Sequence, residues 1–366
     1  MNNIYGIDAR LWYESGVGRY VRNLVMGFDR KKLEDTIVVF LPSKAYKEVN
    51  LSNPKIRKVV ADVKWHSLAE QWSFKKIVEN EEIDVMHFPY FSYPLFYKKP
   101  FVITIHDLII DHFPTGMASS LPLPAYIAKR QAYKLLVASA VKNAVSVIVP
   151  SVATKDELID HYKLDEGKAK VIYEGFDPLI AGAATKPEFA KDFILYVGNA
   201  YPHKNLATLF DAYKKIRKNM DVDLICIGRE DFFYKRLKKN EEGIKFLHNV
   251  DDSLLFHYYT NARLLVMPSL MEGFGLPILE AMNLSCPVVC SKSAALSEVG
   301  GDAVAYFDSK DSNDLAEKIE KVLQDDTVRK TLVEKGLKRS AQFSWEECVT
   351  KTFEVYESSN SLRSGK

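Results

Sequence analysis

Cysteine is scarce: Cys226, Cys286, Cys290 and Cys348 are the four in a chain of 366 residues. That excludes a small scaffold stapled by disulfides. Cys286 and Cys290 have the look of a metal pair. They read as parts of one buried strand with no second pair elsewhere, so reduced core thiols are expected. No apolar run reaches the ~20 residues of a membrane span. The first residues, Met1–Asp8, lack a charged segment followed by an apolar one, so no secretory signal is read and a cytoplasmic location is expected. An excess of either charge is missing too: 50 basic against 48 acidic side chains leave +2, which gives no global pull toward nucleic acid. Carboxylates at metal-binding spacing are also lacking. Asp221-Val222-Asp223 spells D-x-D, but it opens a strand at the edge away from ligand, so no metal site is expected.

What is present is a globular composition, 47% hydrophobic and 27% charged, at a length that suits two domains. Short apolar runs alternate with helical patterns. Residues 4–10, 36–41, 56–60, 84–88, 101–105 and 145–150 read as strands, and several are near-continuously apolar, as strands buried on both faces must be. Ser67–Glu79, Pro122–Asn143 and a segment capped by Ser151 read as helices. This rhythm predicts an α/β, doubly wound domain ending near residue 180. Residues 181–190, small and polar with Pro187, read as a linker. The rhythm restarts at Phe193 and runs to about 344. A last amphipathic helix begins at Trp345, and the tail from Ser358 reads as disordered.

The most informative stretch is Glu272-Gly273-Phe274-Gly275-Leu276-Pro277-Ile278-Leu279-Glu280, which follows the apolar run Leu264–Pro268. Two glycines allow a tight turn and close backbone approach to a ligand. Pro277 suits a helix start. Backbone N–H groups there favour an anion, above all a phosphate. One acid lies in the turn and the other one helical turn in, so Glu280 could accept ribose hydroxyls while Glu272 meets a sugar. A plain strand-to-helix corner, with Glu280 complementing the helix dipole, would share much of this spelling. Elsewhere, Gly16-Val17-Gly18 could open a dinucleotide fingerprint, but Val21 occupies the third glycine position, which argues against NAD. His106, just past the strand 101–105, sits where open parallel sheets gather ligands. It is either a ligand contact or a structural histidine bonded to Asp107. His87 is a weaker candidate of the same kind. Tyr90, Phe91 and Tyr93 could stack on a sugar, although packing is the commoner fate.

Glu272 to Glu280 resembles the E-x7-E signature of the retaining glycosyltransferases of family 4, which have the GT-B fold: two Rossmann-like domains facing across a cleft. The wording from Pro268 to Met282 is close to that family's, and the resemblance runs from residue 4 to about 356. It implies that Gly16 and Gly18 form the N-terminal glycine loop near the donor phosphates, with Arg19 and Arg22 available to a phosphate. It implies that His106, in Thr104-Ile105-His106-Asp107, contacts the donor sugar near its 6-hydroxyl. Asn199-Ala200-Tyr201-Pro202-His203-Lys204-Asn205 resembles the family's G-x-x-x-P-R-K-N block, so Lys204 is assigned to the diphosphate. A lysine at a helix start is explained by an anion there. Two departures stand out: His203 replaces the usual arginine, and Asn199 stands where some relatives place one. Arg229 could compensate. The nucleobase is expected near Asn249-Val250, the phosphates at Phe274, Gly275 and Leu276, the ribose at Glu280, and the helix from Trp345 is expected to cross back to the first domain.

The implied reaction is retaining transfer of a hexose from a nucleotide sugar to the hydroxyl of a glycan or lipid-linked acceptor, with no cofactor and no metal. His106, Glu272 and Lys204 are the catalytic candidates. With no clear carboxylate nucleophile, front-face attack is expected. The wording Glu70-Gln71, the His87 strand end and Thr104–Asp107 are most similar to bacterial mannosyltransferases of surface polysaccharides, so GDP-mannose is the first reading of the donor and a UDP-sugar the second. The helix Pro122–Asn143, with Lys129, Arg130, Lys134 and Lys142, reads as a core helix with a solvated face; peripheral membrane contact is the alternative. An inactive nucleotide-sugar-binding subunit is the rival of another class.

Overall fold

The structure, a computed structural model, describes residues 2–113, 122–176, 191–230, 232–237 and 242–364. The linker expected at 181–190 lies outside them. In chain order the elements are β1 (Ile4–Asp8), α1 (Gly16–Arg30), β2 (Thr36–Leu41), α2 (Ser43–Glu48), β3 (Ile56–Val60), α3 (Lys75–Glu79), β4 (Val85–Phe88), β5 (Phe101–Thr104), α4 (Ile109–His112), α5 (Leu123–Asn143), β6 (Ser146–Val149), α6 (Val152–Tyr162) and β7 (Ala169–Val171). Then follow β8 (Phe193–Val197), α7 (Leu206–Ile216), β9 (Asp223–Ile227), α8 (Phe232–Leu237), β10 (Ile244–Leu247), α9 (Asp252–Asn261), β11 (Leu264–Met267), α10 (Leu276–Asn283), β12 (Val288–Ser291), α11 (Ala294–Gly300), β13 (Ala305–Phe307), α12 (Ser312–Gln324), α13 (Asp326–Ser340) and α14 (Trp345–Ser364).

These elements make two compact units. One takes residues 1–111, 123–174 and 345–366; the other takes 112–122 and 175–344. The first holds a seven-stranded sheet in the order β3-β2-β1-β4-β5-β6-β7, the second a six-stranded sheet in the order β10-β9-β8-β11-β12-β13. All neighbours pair in parallel. The chain winds outward in one direction from β1 or β8 and then in the other from β4 or β11. Each sheet therefore has a topological switch point, β1/β4 in the first unit and β8/β11 in the second, and ligands of such sheets gather beyond the carboxyl ends of those strands. The apolar runs explain the burial: every residue of β4, β5, β6, β9, β11 and β12 is buried, whereas the edge strand β3 is only partly covered.

The helices follow the same logic. Helix α1 turns Tyr20, Val21, Leu24, Val25 and Phe28 inward at helical spacing. Helix α14 joins the first unit. Its Phe353 and Tyr356 rings pack on Tyr5 and Phe28 at 5.5–5.9 Å. It continues to Ser364, into the tail expected to be disordered from Ser358, where Ser359 is buried and the Asn360 amide donates to Asn3 Oδ1 at 2.8 Å. Helix α5 buries Tyr126, Tyr133, Val137, Ala140 and Val141. Flanking these, Arg130 donates to the Asp111 carbonyl and Lys134 lies 3.7 Å from the Asp111 carboxylate. Among the described residues no helix is long and apolar enough to cross a membrane. The helix expected at Ser67–Glu79 is not regular: Glu70–Phe74 form a π-helical turn ahead of α3. Glu70 and Phe74 both point inward, and the Arg10 guanidinium lies 3.5 Å from the Phe74 ring centre.

Candidate active site

In the second unit the two central strands each leave their carboxyl end through a short, pinned loop. After β8 the chain makes one 3-10 turn, Pro202–Lys204, before α7. After β11 it runs from Pro268 to Gly275 before α10. The loops are stitched together. Leu270 N–H donates to the His203 carbonyl at 2.7 Å. The Asn205 amide donates to the carbonyls of Pro268 (3.1 Å) and Ser309 (2.8 Å), and the Ser291 hydroxyl donates to the Ser269 carbonyl. Asn205 itself takes a left-handed backbone, φ 57°, which asparagine tolerates better than most residues.

This stitching joins two side chains 68 residues apart. Lys204 Nζ lies 2.6 Å from Glu272 Oε1, and the side chains are 13% and 9% exposed. Two residues singled out separately in the sequence thus form one nearly buried, charge-assisted pair at the switch point. Beside it α10 begins at Leu276, with Pro277 in its first two positions. Gly275 has φ 117°, and a β-carbon there would come 2.8 Å from Leu296 Cδ2, so the turn requires glycine. The first N–H groups of α10 have no acceptor within the helix, as at any helix start. Phe274 is buried against Phe343 at 5.9 Å. Glu280 is 4% exposed and accepts the Tyr259 hydroxyl at 2.7 Å.

The remaining residues expected on the donor side lie on the same edge of the sheet, because all strands are parallel. Val250, half-buried, follows β10, and the exposed Arg229 follows β9. Val250, Arg229, Lys204 and Glu272 thus leave four adjacent strands, a span of about 14 Å at ~4.8 Å per strand. Asn199 shapes its loop: its carbonyl accepts the Tyr196 hydroxyl at 2.5 Å and its Oδ1 accepts Tyr201 N–H at 3.3 Å. His203 is buried and stacked on Tyr201, with ring centres 5.9 Å apart. Burial, then the neighbouring Lys204, pull its pKa down to about 4 against the opposing effect of Glu272. At neutral pH His203 therefore carries no charge, and it does not stand in electrostatically for the arginine that the resemblance places there.

In the first unit His106 lies two residues beyond β5. Its Nε2 is 3.1 Å from the Pro89 carbonyl and its Nδ1 is 3.2 Å from Glu174 Oε1, with Tyr20 edge-on at 4.9 Å. Its carboxylate partner is Glu174, not the adjacent Asp107, whose Oδ1 accepts Ile109 N–H at 3.0 Å. Both ring nitrogens thus face oxygen atoms of the protein. His87, the weaker candidate, is a core residue. It is fully buried, 2.6 Å from the Tyr356 hydroxyl and 2.8 Å from Thr104 Oγ1, and burial followed by His106 pulls its pKa down to about 3. Phe91 and Tyr93 are buried packing residues, and Tyr90 is half-buried beside Trp65 and His66. Gly16 opens α1 with space around it. A β-carbon on Gly18 would lie 2.7 Å from the Leu11 carbonyl oxygen, and Arg22 donates to the Trp12 carbonyl at 2.5 Å, bracing that loop. The four cysteines are unpaired and buried, and burial pushes each thiol up. Cys290 lies in β12 and Cys286 on the turn before it.

One cluster was not anticipated. Past the end of β1, Arg10 donates to Asp8 (2.7 and 2.8 Å) and to Glu70 Oε1 (2.6 Å), and all three are buried. Glu70 Oε2 accepts the Ser92 hydroxyl at 2.7 Å and His66 N–H at 3.1 Å. Arg10 also donates to the Val63 carbonyl at 3.1 Å. The cluster ties the loops after β1, β3 and β4 together at the first unit's switch point.

Residues 15–178 match the family described as Glycosyltransferase Family 4, and residues 184–339 match Glycosyl transferases group 1. The chain is 39% identical over 172 residues to O-antigen chain mannosyltransferase B of Escherichia coli, an alignment that covers 45% of each chain. It thus spans less than half of that relative. It is 29% identical over 365 residues to the uncharacterized glycosyltransferase MJ1178 of Methanocaldococcus jannaschii, covering 94% of this chain and 95% of that one. Among solved structures, Anabaena Alr3699/HepE in complex with UDP and glucose superposes with a TM-score of 0.74 at 19% identity, over 98% of this chain and 100% of that one, a likeness of fold.

Proposed function

From the premise that the chain belongs to the group 1, family 4 glycosyltransferases of GT-B fold, we propose that it moves a hexose from a nucleotide sugar to an acceptor hydroxyl with retention of anomeric configuration. The observation that carries this reading is the Lys204–Glu272 pair at the carboxyl ends of β8 and β11. An extended donor suits the strand-exit edge: nucleobase by Val250, diphosphate at Lys204 and the start of α10, sugar at Glu272. The departing diphosphate gathers negative charge as the C1–O bond breaks. Lys204 and the N–H groups at Phe274, Gly275 and Leu276 supply fixed opposing charge without a metal ion. When the diphosphate takes Lys204, Glu272 is released to accept hydroxyls of the sugar. Glu280, with one oxygen fixed by Tyr259, accepts from the ribose. The acceptor oxygen attacks C1 from the face the diphosphate leaves, and a donor phosphate oxygen takes the acceptor proton. His106, held by Glu174 and Pro89, is assigned to the sugar's 6-hydroxyl.

Mannose from GDP-mannose is the first choice of donor, supported by the E. coli relative whose name is that of an O-antigen chain mannosyltransferase. A UDP-sugar is the second, supported by the neighbour solved with UDP and glucose. The acceptor is a glycan or lipid-linked sugar met in the cytoplasm. Incubation with a panel of nucleotide sugars, with chelator present, tests the reading through transfer and slow hydrolysis. GDP-mannose turnover is expected, and it is expected to be lost in Lys204→Ala and Glu272→Ala. Inertness toward every donor, or wild-type rates in both variants, would overturn it.

A further inference from the structure

The loop that leaves β3 crosses the carboxyl end of the first sheet. It starts at the edge of the order β3-β2-β1-β4 and ends against the loop after β4, three places away. Its contacts mark the route. Asp62 accepts Ser43 N–H at 2.7 Å, at the exit of β2. The Val63 carbonyl accepts Arg10 at 3.1 Å, at the exit of β1. The His66 ring then stacks on Tyr90, with centres 5.7 Å apart, and lies 4.8 Å from Phe91. Trp65 meets the same tyrosine edge-on at 6.0 Å. Two distant loops thus build one aromatic surface at the ends of β1 and β4, the switch point where ligands of such a sheet gather.

The surface is presented to solvent and held there. Phe91 is buried, Trp65 and Tyr90 are half-buried and His66 is exposed. The indole N–H of Trp65 and both ring nitrogens of His66 make no hydrogen bond among the described residues. His66 has φ 56°, a left-handed backbone uncommon for a residue with a β-carbon. That conformation is fixed from behind. His66 N–H donates to Glu70 Oε2 at 3.1 Å, and Glu70 is gripped by Ser92 at 2.7 Å and Arg10 at 2.6 Å. A backbone outlier braced by a buried ion cluster, at the ligand end of a sheet, points to a binding role. Ring faces beside uncommitted donors and acceptors suit a pyranose, whose C–H face lies on an aromatic ring while its hydroxyls both donate and accept. A neutral imidazole offers one donor and one acceptor, and the indole one more donor. A bare hydrocarbon chain would leave all three groups unpaired. We propose that Trp65, His66 and Tyr90 form a subsite for a pyranose ring of the acceptor. The part of the acceptor recognised here is then its sugar end, not a lipid carrier. That the bound sugar is the acceptor rests on the transferase reading above; that a sugar binds does not.

The test uses the full chain and a panel of methyl α- and β-glycosides of mannose, glucose, galactose, N-acetylglucosamine and rhamnose. Saturation-transfer NMR reads binding and initial rates read transfer. At least one glycoside is expected to bind and to saturate transfer. For it, Trp65→Ala and His66→Ala should each raise Kd and acceptor KM about five- to tenfold, with a smaller effect on kcat. His66→Asn tolerates the same backbone and keeps a donor and an acceptor, so it should stay within about twofold of wild type. Calorimetric titration with GDP should give an unchanged Kd in all three variants, which separates a lost sugar contact from a disturbed fold. A panel in which nothing binds, wild-type Kd and KM in Trp65→Ala, or an equal loss of GDP affinity in that variant would overturn the subsite. So would His66→Asn failing as badly as His66→Ala. Glycoside binding that responds to these variants, without transfer from any nucleotide sugar, would sink the enzymatic reading and leave the sugar subsite standing.

Discussion

Replacing Lys204 by methionine removes the cation from a pair whose side chains are about nine-tenths buried. Breaking a buried ion pair from one side costs 3–5 kcal/mol, and the residual exposure here argues for the lower end, about 3 kcal/mol. Glu272→Gln should cost a similar amount, since the ammonium then lacks its counter-charge. The double variant removes both charges and should cost about 3 kcal/mol, not the additive 6, which gives a coupling near 3 kcal/mol. Transfer should behave differently. A hydrogen bond to a charged group is worth 1.5–3 kcal/mol, so Lys204→Met should weaken nucleoside diphosphate binding about 10- to 150-fold. Glu272→Gln frees Lys204 and should leave that binding intact or tighter while transfer falls roughly a hundredfold. The double variant should be no less stable than either single variant and should not regain activity. Urea unfolding, calorimetric titration with GDP and UDP, and initial transfer rates measure the three quantities. A double variant that recovers transfer while no less stable than the single variants would show that the bridge is only a brace, and the assignment of the site would fail.

Three further outcomes follow from the structure. His87, neutral in the fold with its pKa near 3, contributes stability that is complete above pH 6.5 and is lost as pH falls toward 3. Between pH 7 and 4 that loss should be about 3 kcal/mol, and urea unfolding of His87→Gln beside wild type should isolate it. Glu157 has its pKa raised to about 7, chiefly by burial and further by Asp107 and Asp111 against His161. Its folded form holds a proton that the unfolded form releases above about pH 4.5, so it costs stability as pH rises to 7. Glu157→Gln should stabilise by about 1–2 kcal/mol at pH 8, after allowance for solvent screening, and by nothing near pH 4, read from the same melts. Gly275→Ala forces a β-carbon into a backbone at φ 117° and toward Leu296, which should cost about 1–3 kcal/mol in thermal unfolding and lower transfer as the start of α10 shifts.

The strands were legible because both-face burial demands near-continuous apolar runs: Leu264–Met267 is wholly apolar, and His87 alone interrupts Val85–Phe88. The Glu272 turn was legible because its glycine positions answer to local backbone geometry. What escaped reading depends on partners far apart in the chain. The mate of His106 is Glu174, 68 residues on, while Asp107 beside it was the obvious candidate. His87 was a weaker ligand candidate because it stands at a strand's end, yet its hydroxyl partner sits 269 residues away on α14. The Arg10 cluster gave no local signal, since one buried arginine between two acids spells nothing. The π-helical turn at Glu70–Phe74 was hidden because an apolar helical period cannot register one extra residue in a turn.

Helix α14 has a consequence for biosynthesis. It fills the space against Tyr5, Phe28 and His87, residues made more than 250 positions before it. As the polypeptide emerges from the ribosome, the second unit is complete once Ser344 has cleared the exit tunnel. The first, although started earliest, still waits for its final helix. The portion born first is therefore the portion finished last, and it spends most of translation with an uncovered aromatic flank. Nascent chains stopped just before residue 345 should be the ones that chaperones hold.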